Sequence, residues 1–262
     1  MYFATLASGS SGNAIIVGEE KRSFLVDCGI TAKRLLANLK MIDIPSFQIE
    51  GIIITHEHSD HIKGVGVLAR KLEIPIYATS LVWGEMEQNL GRLKPEQKVI
   101  IEKEVNLAGM HIRLVPTSHD SKDSYGLKIT GQQHTLAIAT DSGIITAEMD
   151  KYFQGCDAYI VEANHDSKRL WEGKYPWYLK QRISSKKGHL SNNDLAEALK
   201  EWLTEKAQKV VLAHLSAENN TPQLALATVL GTLRALKVRA RCPNLKFSVA
   251  SRHVPRELVK LN

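Results

Sequence analysis

The stretch Thr55-His56-Glu57-His58-Ser59-Asp60-His61 directly follows the apolar run 51–54, which predicts a buried strand. Imidazole nitrogens and carboxylate oxygens suit divalent ions such as Zn²⁺, and also Mn²⁺ or Fe. His56 and His58 leave the strand end on a tight loop and can chelate one ion. Asp60 and His61 are expected to point toward a second ion about 3.5–4 Å away, the separation typical of two-metal hydrolytic sites. The stretch therefore predicts a metal centre.

Short apolar runs alternate with helical patterns along the rest of the chain. The predicted strands cover residues 24–26, 51–54, 112–115, 136–139, 159–161 and 210–213. The predicted helices cover residues 32–41, capped by Thr31, and 61–72, and two more begin at the caps Ser191 and Thr221. This alternation indicates a mixed α/β architecture. The chain shows no repeat and no long linker, so we expect a single domain over residues 1–262.

Nearly every predicted strand ends in a side chain that is acidic or able to bind a metal: Asp27, His56, His119, Asp141, Glu162 and His214. Strand ends lie side by side at one edge of a sheet, so residues at these positions gather there. Taken singly, Asp141 suits a turn before Ser-Gly, and His119 suits an ordinary loop. Six such residues at equivalent positions indicate a site.

The composition is that of a globular protein with a mild excess of positive charge. The 262 residues include 34 Lys and Arg against 28 Asp and Glu, a formal charge of +6, and 44% are hydrophobic, which excludes a disordered chain. Cys28, Cys156 and Cys242 are far apart and odd in number, so no disulfide framework is expected and a cytoplasmic location is favoured. Neither a signal peptide nor a membrane span is recognisable, so no membrane partner is expected.

These motifs resemble the metallo-β-lactamase-fold superfamily, whose pattern is an early Asp, HxHxDH, then a His, an Asp and a last His. All five are present in order and span almost the whole chain. The resemblance implies a four-layer αββα sandwich with two divalent ions at one edge. The implied ligands are His56, His58 and His119 for one ion and Asp60, His61 and His214 for the other. Asp141 would bridge both ions, and Asp27 would orient a ligand.

The element Lys187-Gly188-His189-Leu190-Ser191 lies upstream of His214. At this place it resembles the ribonuclease Z-like and PhnP-like phosphodiesterases of the superfamily, in which the histidine contacts the scissile phosphate or protonates the leaving oxygen. An imidazole with a pKa of about 6.5 can be a general acid or a cationic donor to the phosphate. The alternative is that His189 only precedes the helix cap Ser191.

Residues 168–187, the basic segment, combine seven positive side chains and one Glu with interleaved Trp and Tyr residues. Basic side chains neutralise phosphates, and aromatic faces stack on bases or sugars. Because the segment leads into His189, we expect it to border a catalytic cleft; the alternative is a helix and loop with a solvated basic face. The candidate nucleic-acid contacts are Lys168, Arg169, Lys174, Trp177, Lys180, Arg182, Lys186 and Lys187.

Longer stretches resemble one group of the superfamily, the YycJ/WalJ (VicX) bacterial proteins. They are residues 6–13, 161–166, 175–191 and 214–220. The resemblance runs end to end and implies a metal-dependent nuclease with 5′→3′ exonuclease activity on double-stranded DNA. The Gly/Ser-rich turn at residues 8–13 either presents backbone N–H groups to a phosphate or is a plain hairpin turn.

The expected function is a dinuclear-metal phosphodiesterase that acts on nucleic acid, DNA in preference to RNA, through attack of a metal-activated hydroxide on phosphorus. The expected catalytic residues are His189 and Asp60, the latter as a base that orients the nucleophile. Two other functions remain open: a small-molecule hydrolase for a cyclic nucleotide, phosphoester or thioester, and a non-catalytic protein with a structural metal. The ligand types accept Zn²⁺, Mn²⁺ or Fe, and no oligomeric state is predicted.

Overall fold

Two seven-stranded β-sheets form the centre of the computed structural model, which describes residues 1–236 and 238–262. The first sheet contains, from edge to edge, β14 (Val259–Lys260), β1 (Tyr2–Ala7), β2 (Ala14–Glu19), β3 (Arg22–Val26), β4 (Ile49–Ile53), β5 (Ile76–Ala78) and β6 (Lys98–Ile100). The second contains β13 (Lys246–Val249), β12 (Lys209–Ala213), β11 (Ala158–Glu162), β10 (Thr135–Ala139), β9 (Tyr125–Thr130), β8 (Met110–Pro116) and β7 (Glu104–Leu107). Each predicted strand corresponds to one of these strands, with its last residue correct to within one position and its first to within two.

Helices cover the outer faces of both sheets. Those within the described residues are α1 (Ala32–Met41), α2 (Ser59–Ile62), α3 (Val65–Leu72), α4 (Ser80–Leu90), α5 (Ala147–Phe153), α6 (Ser167–Glu172), α7 (Trp177–Ile183), α8 (Asn192–Trp202), α9 (Pro222–Ala235) and α10 (Val238–Arg241). One apolar cluster joins α1, α3 and α4 to the first sheet, and another joins α5, α8 and α9 to the second. No helix in the described parts of the chain has the length and apolar character that crossing a bilayer requires.

A third apolar cluster fills the space between the sheets. Phe24 and Ile53 from the first sheet pack in it with Ile112 and Leu136 from the second. All four side chains are fully removed from solvent, and full burial of such a side chain contributes about 1.5–3 kcal/mol. Helices, sheet, sheet and helices thus form four layers, which confirms the predicted αββα sandwich.

The helix starts that the sequence predicts are formed by side-chain caps. The hydroxyl of Thr31 accepts from the backbone N–H of Arg34 at the start of α1. Ser191 and Asp194 form a reciprocal capping box at α8, and Thr221 with Pro222 opens α9. Each cap satisfies a backbone donor and is worth about 1 kcal/mol.

The prediction of a single helix over residues 61–72 is wrong, because this region forms two helices, α2 and α3. The chain breaks at Gly64, whose N–H donates to the carbonyl of Cys28 at 2.8 Å. A Cβ at this glycine would lie 2.0 Å from the carbonyl oxygen of Ile30. The close approach of these two loops therefore requires glycine at position 64 and separates α2, which ends at Ile62, from α3.

Parallel pairing brings the predicted strand ends to one edge of the sandwich. Strands β3 and β4 are parallel neighbours, and Asp27 and residues 55–61 follow their ends. Strands β10, β11 and β12 are also parallel. Asp141, Glu162 and His214 follow or close these three strands. The polar strand ends therefore gather as the sequence predicts.

Candidate metal centre

Three residues at this edge adopt backbone angles that residues other than glycine rarely take. Asp27, Asp141 and His214 have φ values of 61°, 60° and 52°, in the left-handed region. Such angles cost of order 1–3 kcal/mol each and persist only where surrounding contacts hold them. These unfavourable angles recur at the ends of β3, β10 and β12, where they direct all three side chains toward the same site.

The imidazoles of His56, His58 and His119 form a first group of candidate ligands. One ring nitrogen of each lies within 4.8 Å of the others, and His58 Nδ1 is 3.3 Å from His119 Nε2. The buried His56 Nε2 has no hydrogen-bond partner among the described residues, which is costly unless another group binds it. Burial and the neighbouring His61 keep the pKa of His56 well below its usual value. His56 is therefore neutral, the form that coordinates a metal.

Asp141 connects this group to the predicted second group, Asp60, His61 and His214. Of these, His61 lies in a set of donor atoms within 4.8 Å of one another with His56 and Asp141, and Asp60 lies outside every such set among the described residues. Asp141 Oδ2 lies 2.9 Å from His214 Nδ1 and 3.1 Å from His61 Nε2, and Oδ1 lies 3.9 Å from His119 Nε2. Asp60 Oδ2 lies 3.6 Å from His61 Nε2. Burial raises the pKa of Asp141, but His214 and His61 outweigh burial and hold that pKa well below its usual range. An ionised carboxylate therefore lies between the two groups.

Asp27 fixes the orientation of His61. Its Oδ2 accepts from His61 Nδ1 at 2.7 Å, and the carboxylate also accepts from the backbone N–H and hydroxyl of Thr55. Burial lowers the pKa of His61, but Asp27 and Asp141 raise it well above its usual value. The surroundings therefore attract positive charge to His61 Nε2, where a metal ion can take the place of a proton.

His189 lies beside Asp141 and is held by a buried carboxylate. His189 Nδ1 donates to Glu162 Oε1 at 2.7 Å, and Glu162 Oε2 accepts from the backbone N–H groups of Ser142 and Leu190 at 3.1 and 3.2 Å. Burial lowers the pKa of His189, but Glu162 outweighs burial and raises it to about 9. The sequence marks Glu162 only as a strand end, and its partnership with His189 becomes visible in the fold.

The sequence of this chain is similar to those of known proteins. Residues 22–215 match the family model described as the beta-lactamase superfamily domain. The chain is 38% identical to exodeoxyribonuclease YycJ of Bacillus anthracis, over 87% of this chain and 88% of that protein. It is 40% identical to exodeoxyribonuclease WalJ of Streptococcus pneumoniae, over 88% of this chain and 87% of that protein. The chain belongs to the YycJ/WalJ family of this superfamily.

A solved structure supports the architecture of this YycJ/WalJ family member. The metallo-β-lactamase-fold protein YhfI from Bacillus subtilis matches it with a TM-score of 0.69, over 98% of this chain and 99% of that one. The sequence identity is 18%, so the likeness concerns the fold alone.

The donor set fits divalent metal ions, as the superfamily fold also indicates. Neutral imidazole, an orphaned buried nitrogen on His56 and the ionised Asp141 are what such ions bind. A further set of donor atoms, from Asp141, Glu162, His189 and His214, also lies within 4.8 Å. Because Glu162 already accepts three hydrogen bonds, this set is less free to bind a metal than the two groups above.

Asn13 is a site residue that the sequence did not identify. Its amide Nδ2 lies 3.2 Å from Asp60 Oδ2 and 3.0 Å from His61 Nε2, and its Oδ1 accepts from the N–H of Gly9 at 2.8 Å. Its own backbone N–H donates to the carbonyl of Asp60 at 2.8 Å. The turn at residues 8–13 therefore holds Asp60 through a buried side chain.

Replacing Asn13 by alanine should weaken metal binding about 10- to 100-fold, because residues that orient ligands contribute roughly this much to affinity. Competition with a chelating dye, and calorimetric titration of the metal-free protein, would measure the change. Asn89→Ala, which removes an exposed amide from α4, is the matched control. Unchanged affinity in the Asn13 variant would contradict this role.

The basic segment borders a cleft of about 280 Å³ that opens over the centre. Arg182 lines the cleft, and its Nε donates to Asp120 Oδ2 at 2.6 Å. Five other cationic residues of the segment are exposed: Lys168, Arg169, Lys174, Lys186 and Lys187. Lys180 differs from them, since it is buried and donates to the carbonyl of Trp171 at 2.7 Å. This contact ties α6 to α7 and removes Lys180 from the solvent-facing charges.

Trp177 lies on the far side of α7 from the cleft. Leu179, Arg182 and Ile183 line the cleft, and at about 100° per residue Trp177 projects to the opposite side of this helix. Trp177 is 64% exposed, and its ring packs on that of Trp171, with ring centroids 5.3 Å apart. Tyr175 lines the cleft, whereas Trp171, Trp177 and Tyr178 are not among the residues that line it.

Proposed function

We propose that this chain is an exodeoxyribonuclease that uses two divalent metal ions and degrades double-stranded DNA in the 5′→3′ direction. The main support is the position of Asp141. Its ionised carboxylate lies close to imidazoles of both groups and beside the Glu162–His189 pair. The identity of 38–40% to exodeoxyribonucleases supports DNA as the substrate and the exonuclease mode.

The proposed ligands are those that the superfamily pattern implies. His56, His58 and His119 would hold one ion, and Asp60, His61 and His214 the other, with Asp141 shared and Asp27 orienting His61. Zn²⁺ or Mn²⁺ suits this donor set, and Fe is also compatible with it. When bound, such ions lower the pKa of water and neutralise charge on the phosphate.

The chain's own residues account for the proton transfers. Hydrolysis forms a bond from a water oxygen to phosphorus and breaks the bond to the leaving oxygen, which gains a proton. His189 supplies this proton, because Glu162 holds Nδ1 and the rest of the ring lines the cleft. Asp60, which also lines the cleft, orients the attacking water and accepts its proton.

The exposed charges of the basic segment are proposed to contact the DNA backbone. Lys168, Arg169, Lys174, Lys186 and Lys187 would neutralise phosphates along the path to the cleft, where Arg182 lies. Trp177 is proposed to contact DNA outside the cleft, on the outer side of α7. Lys180 would act through the position of α7, since its ammonium is bonded to Trp171.

Changing Lys168, Lys174, Lys186 and Lys187 together to glutamine should weaken DNA binding and reduce its salt dependence. The slope of log K against log salt should fall by about 0.9 for each lysine that contacts a phosphate. Fluorescence anisotropy at several salt concentrations measures the slope, and hydrolysis of bis(p-nitrophenyl) phosphate should be unaffected. The control changes the exposed Lys33, Lys40, Lys71 and Lys103. An unchanged slope in the first variant would contradict the proposed interface.

A small-molecule hydrolase is the second candidate function, and the small volume of the cleft, about 280 Å³, favours it. End-labelled single- and double-stranded DNA and RNA, incubated with Mn²⁺, Mg²⁺ or Zn²⁺, separate the two functions. Nucleotide release from duplex DNA is the expected result. Hydrolysis of cyclic nucleotides or thioesters without release from any nucleic acid would favour the second function.

Residues 1–262 are proposed to act as one domain, because both sheets contribute candidate ligands to one centre. A cytoplasmic location is also proposed. It is supported by Cys28, Cys156 and Cys242, which are all buried and free thiols.

A further inference from the structure

We infer that the cleft accepts one unpaired nucleotide at a time, so that a duplex end must open before it is cut. This inference rests on the proposed nuclease function and specifies its immediate substrate. The cleft has a volume of about 280 Å³, near the lower end of pockets that enclose a single small molecule, about 300 Å³. A volume of this size matches one nucleotide and is smaller than a base pair with its two backbones.

The walls of the cleft match the parts of a nucleotide. Tyr175 and Leu179 of the basic segment form an apolar wall on one side, and Leu215, next to His214, lines the cleft as well. Aromatic and aliphatic surfaces suit the face of an unpaired base. The candidate ligands and His189 line the same cleft, where the phosphate must lie for hydrolysis. A base stacked on Tyr175 would thus extend from a phosphate held at the candidate metal centre.

This wall is anchored to the loops that carry the candidate ligands. The Arg182 guanidinium is bonded to Asp120, which is adjacent to His119 in the chain. The hydroxyl of Ser118 donates to the carbonyl of Lys186 at 2.8 Å, and His119 Nδ1 donates to the carbonyl of Gly188 at 3.1 Å. Widening the cleft enough for a duplex would break these contacts together. The DNA, and not the wall, is therefore expected to rearrange.

Unpairing the terminal nucleotide has a predictable effect on the rate. Stacking in an average base-pair step of DNA lowers the equilibrium constant for opening that step about tenfold. For an enzyme that needs an unpaired nucleotide, kcat/KM is reduced by this factor at a paired end and is not reduced at a mismatched end. The first nucleotide should therefore leave a mismatched end about tenfold faster than a G·C end.

The test uses wild-type protein with Mn²⁺ and three end-labelled duplexes that differ only in the terminal pair: G·C, A·T or a mismatch. Release of the first nucleotide at limiting DNA reports kcat/KM, which includes the opening step even where product release is slow. The expected order is mismatch, then A·T, then G·C. Equal kcat/KM for the three ends would overturn the inference and leave the nuclease function standing. No cleavage of any duplex would overturn both.

A second measurement addresses the wall itself. Tyr175→Ala should lower kcat/KM about fivefold or more, since stacking of one base on an aromatic side chain contributes at least this much, and Tyr175→Phe should retain wild-type activity. The control is Phe47→Ala, which removes an 84% exposed ring at the opposite end of β4. A Tyr175→Ala variant as active as wild type would overturn the assignment of this wall to the base.

Discussion

Replacing Asp141 by alanine should lower metal-dependent DNA cleavage by more than about 10³-fold, because charge stabilisation by bound metals is worth several kcal/mol. Asp141 contacts His61 and His214 directly and reaches His119. Its removal would leave two groups of imidazoles without the negative charge between them. Elemental analysis of the purified variant should show fewer bound ions than wild type, and end-labelled duplex DNA should remain intact.

The control for this variant is Glu87→Gln, which breaks a surface pair with Lys98, neither of which lines the cleft or belongs to a candidate ligand set, and it should leave metal content and cleavage unchanged. Circular dichroism of both variants verifies that each is folded. An Asp141→Ala protein that retains two ions and cuts DNA within about tenfold of wild type would contradict the assignment of Asp141.

Replacing His189 by alanine should lower kcat about 10²- to 10⁴-fold, the range expected when a general acid is removed. Metal content should remain at the wild-type value, since the proposal makes His189 a proton donor and not a ligand. Rapid-quench kinetics on duplex DNA and elemental analysis on the same preparation measure both quantities. Loss of an ion from this variant would show that the set of Asp141, Glu162, His189 and His214 binds metal, and would contradict the acid role.

Glu162→Gln is the matched variant, because it keeps the shape of the side chain and removes its charge. It should lower kcat by no more than His189→Ala does, since Glu162 acts through the position and protonation of His189. The double variant should be no slower than His189→Ala alone, because residues that act as a unit are not additive. Additive losses would place Glu162 in a separate role.

The candidate ligands are predictable from sequence because several His and Asp residues lie close together in residues 55–61 and others follow the predicted strands. Asp27, Asp141 and His214 each come at the end of a strand, and the end of a strand lies at a fixed edge of the sheet. Asn13 is not predictable in this way, because its amide contacts Asp60, which is 47 positions away in the sequence. The Gly/Ser turn around Asn13 does not indicate that partner.

In the basic segment, residue types alone do not predict which side chains face the cleft. The sequence gives the positive charge of the segment, but the direction of each side chain depends on where α7 begins and which face of α7 packs against the cleft. Starting the helix at Trp177 points that ring away from the cleft and leaves Tyr175 lining it. The same geometry buries Lys180, which the sequence cannot distinguish from its exposed neighbours.

Metal-dependent cleavage of duplex DNA is tested by a time course of nucleotide release from 5′-labelled duplex DNA with wild-type protein and His58→Ala, in Mn²⁺ and in a chelator. His58 approaches His119 to 3.3 Å in the first group of candidate ligands, and its loss should remove one metal. We expect mononucleotide release by the wild type in Mn²⁺ and none in the chelator or with His58→Ala. Equal release by both proteins, or release that persists in the chelator, would contradict this expectation.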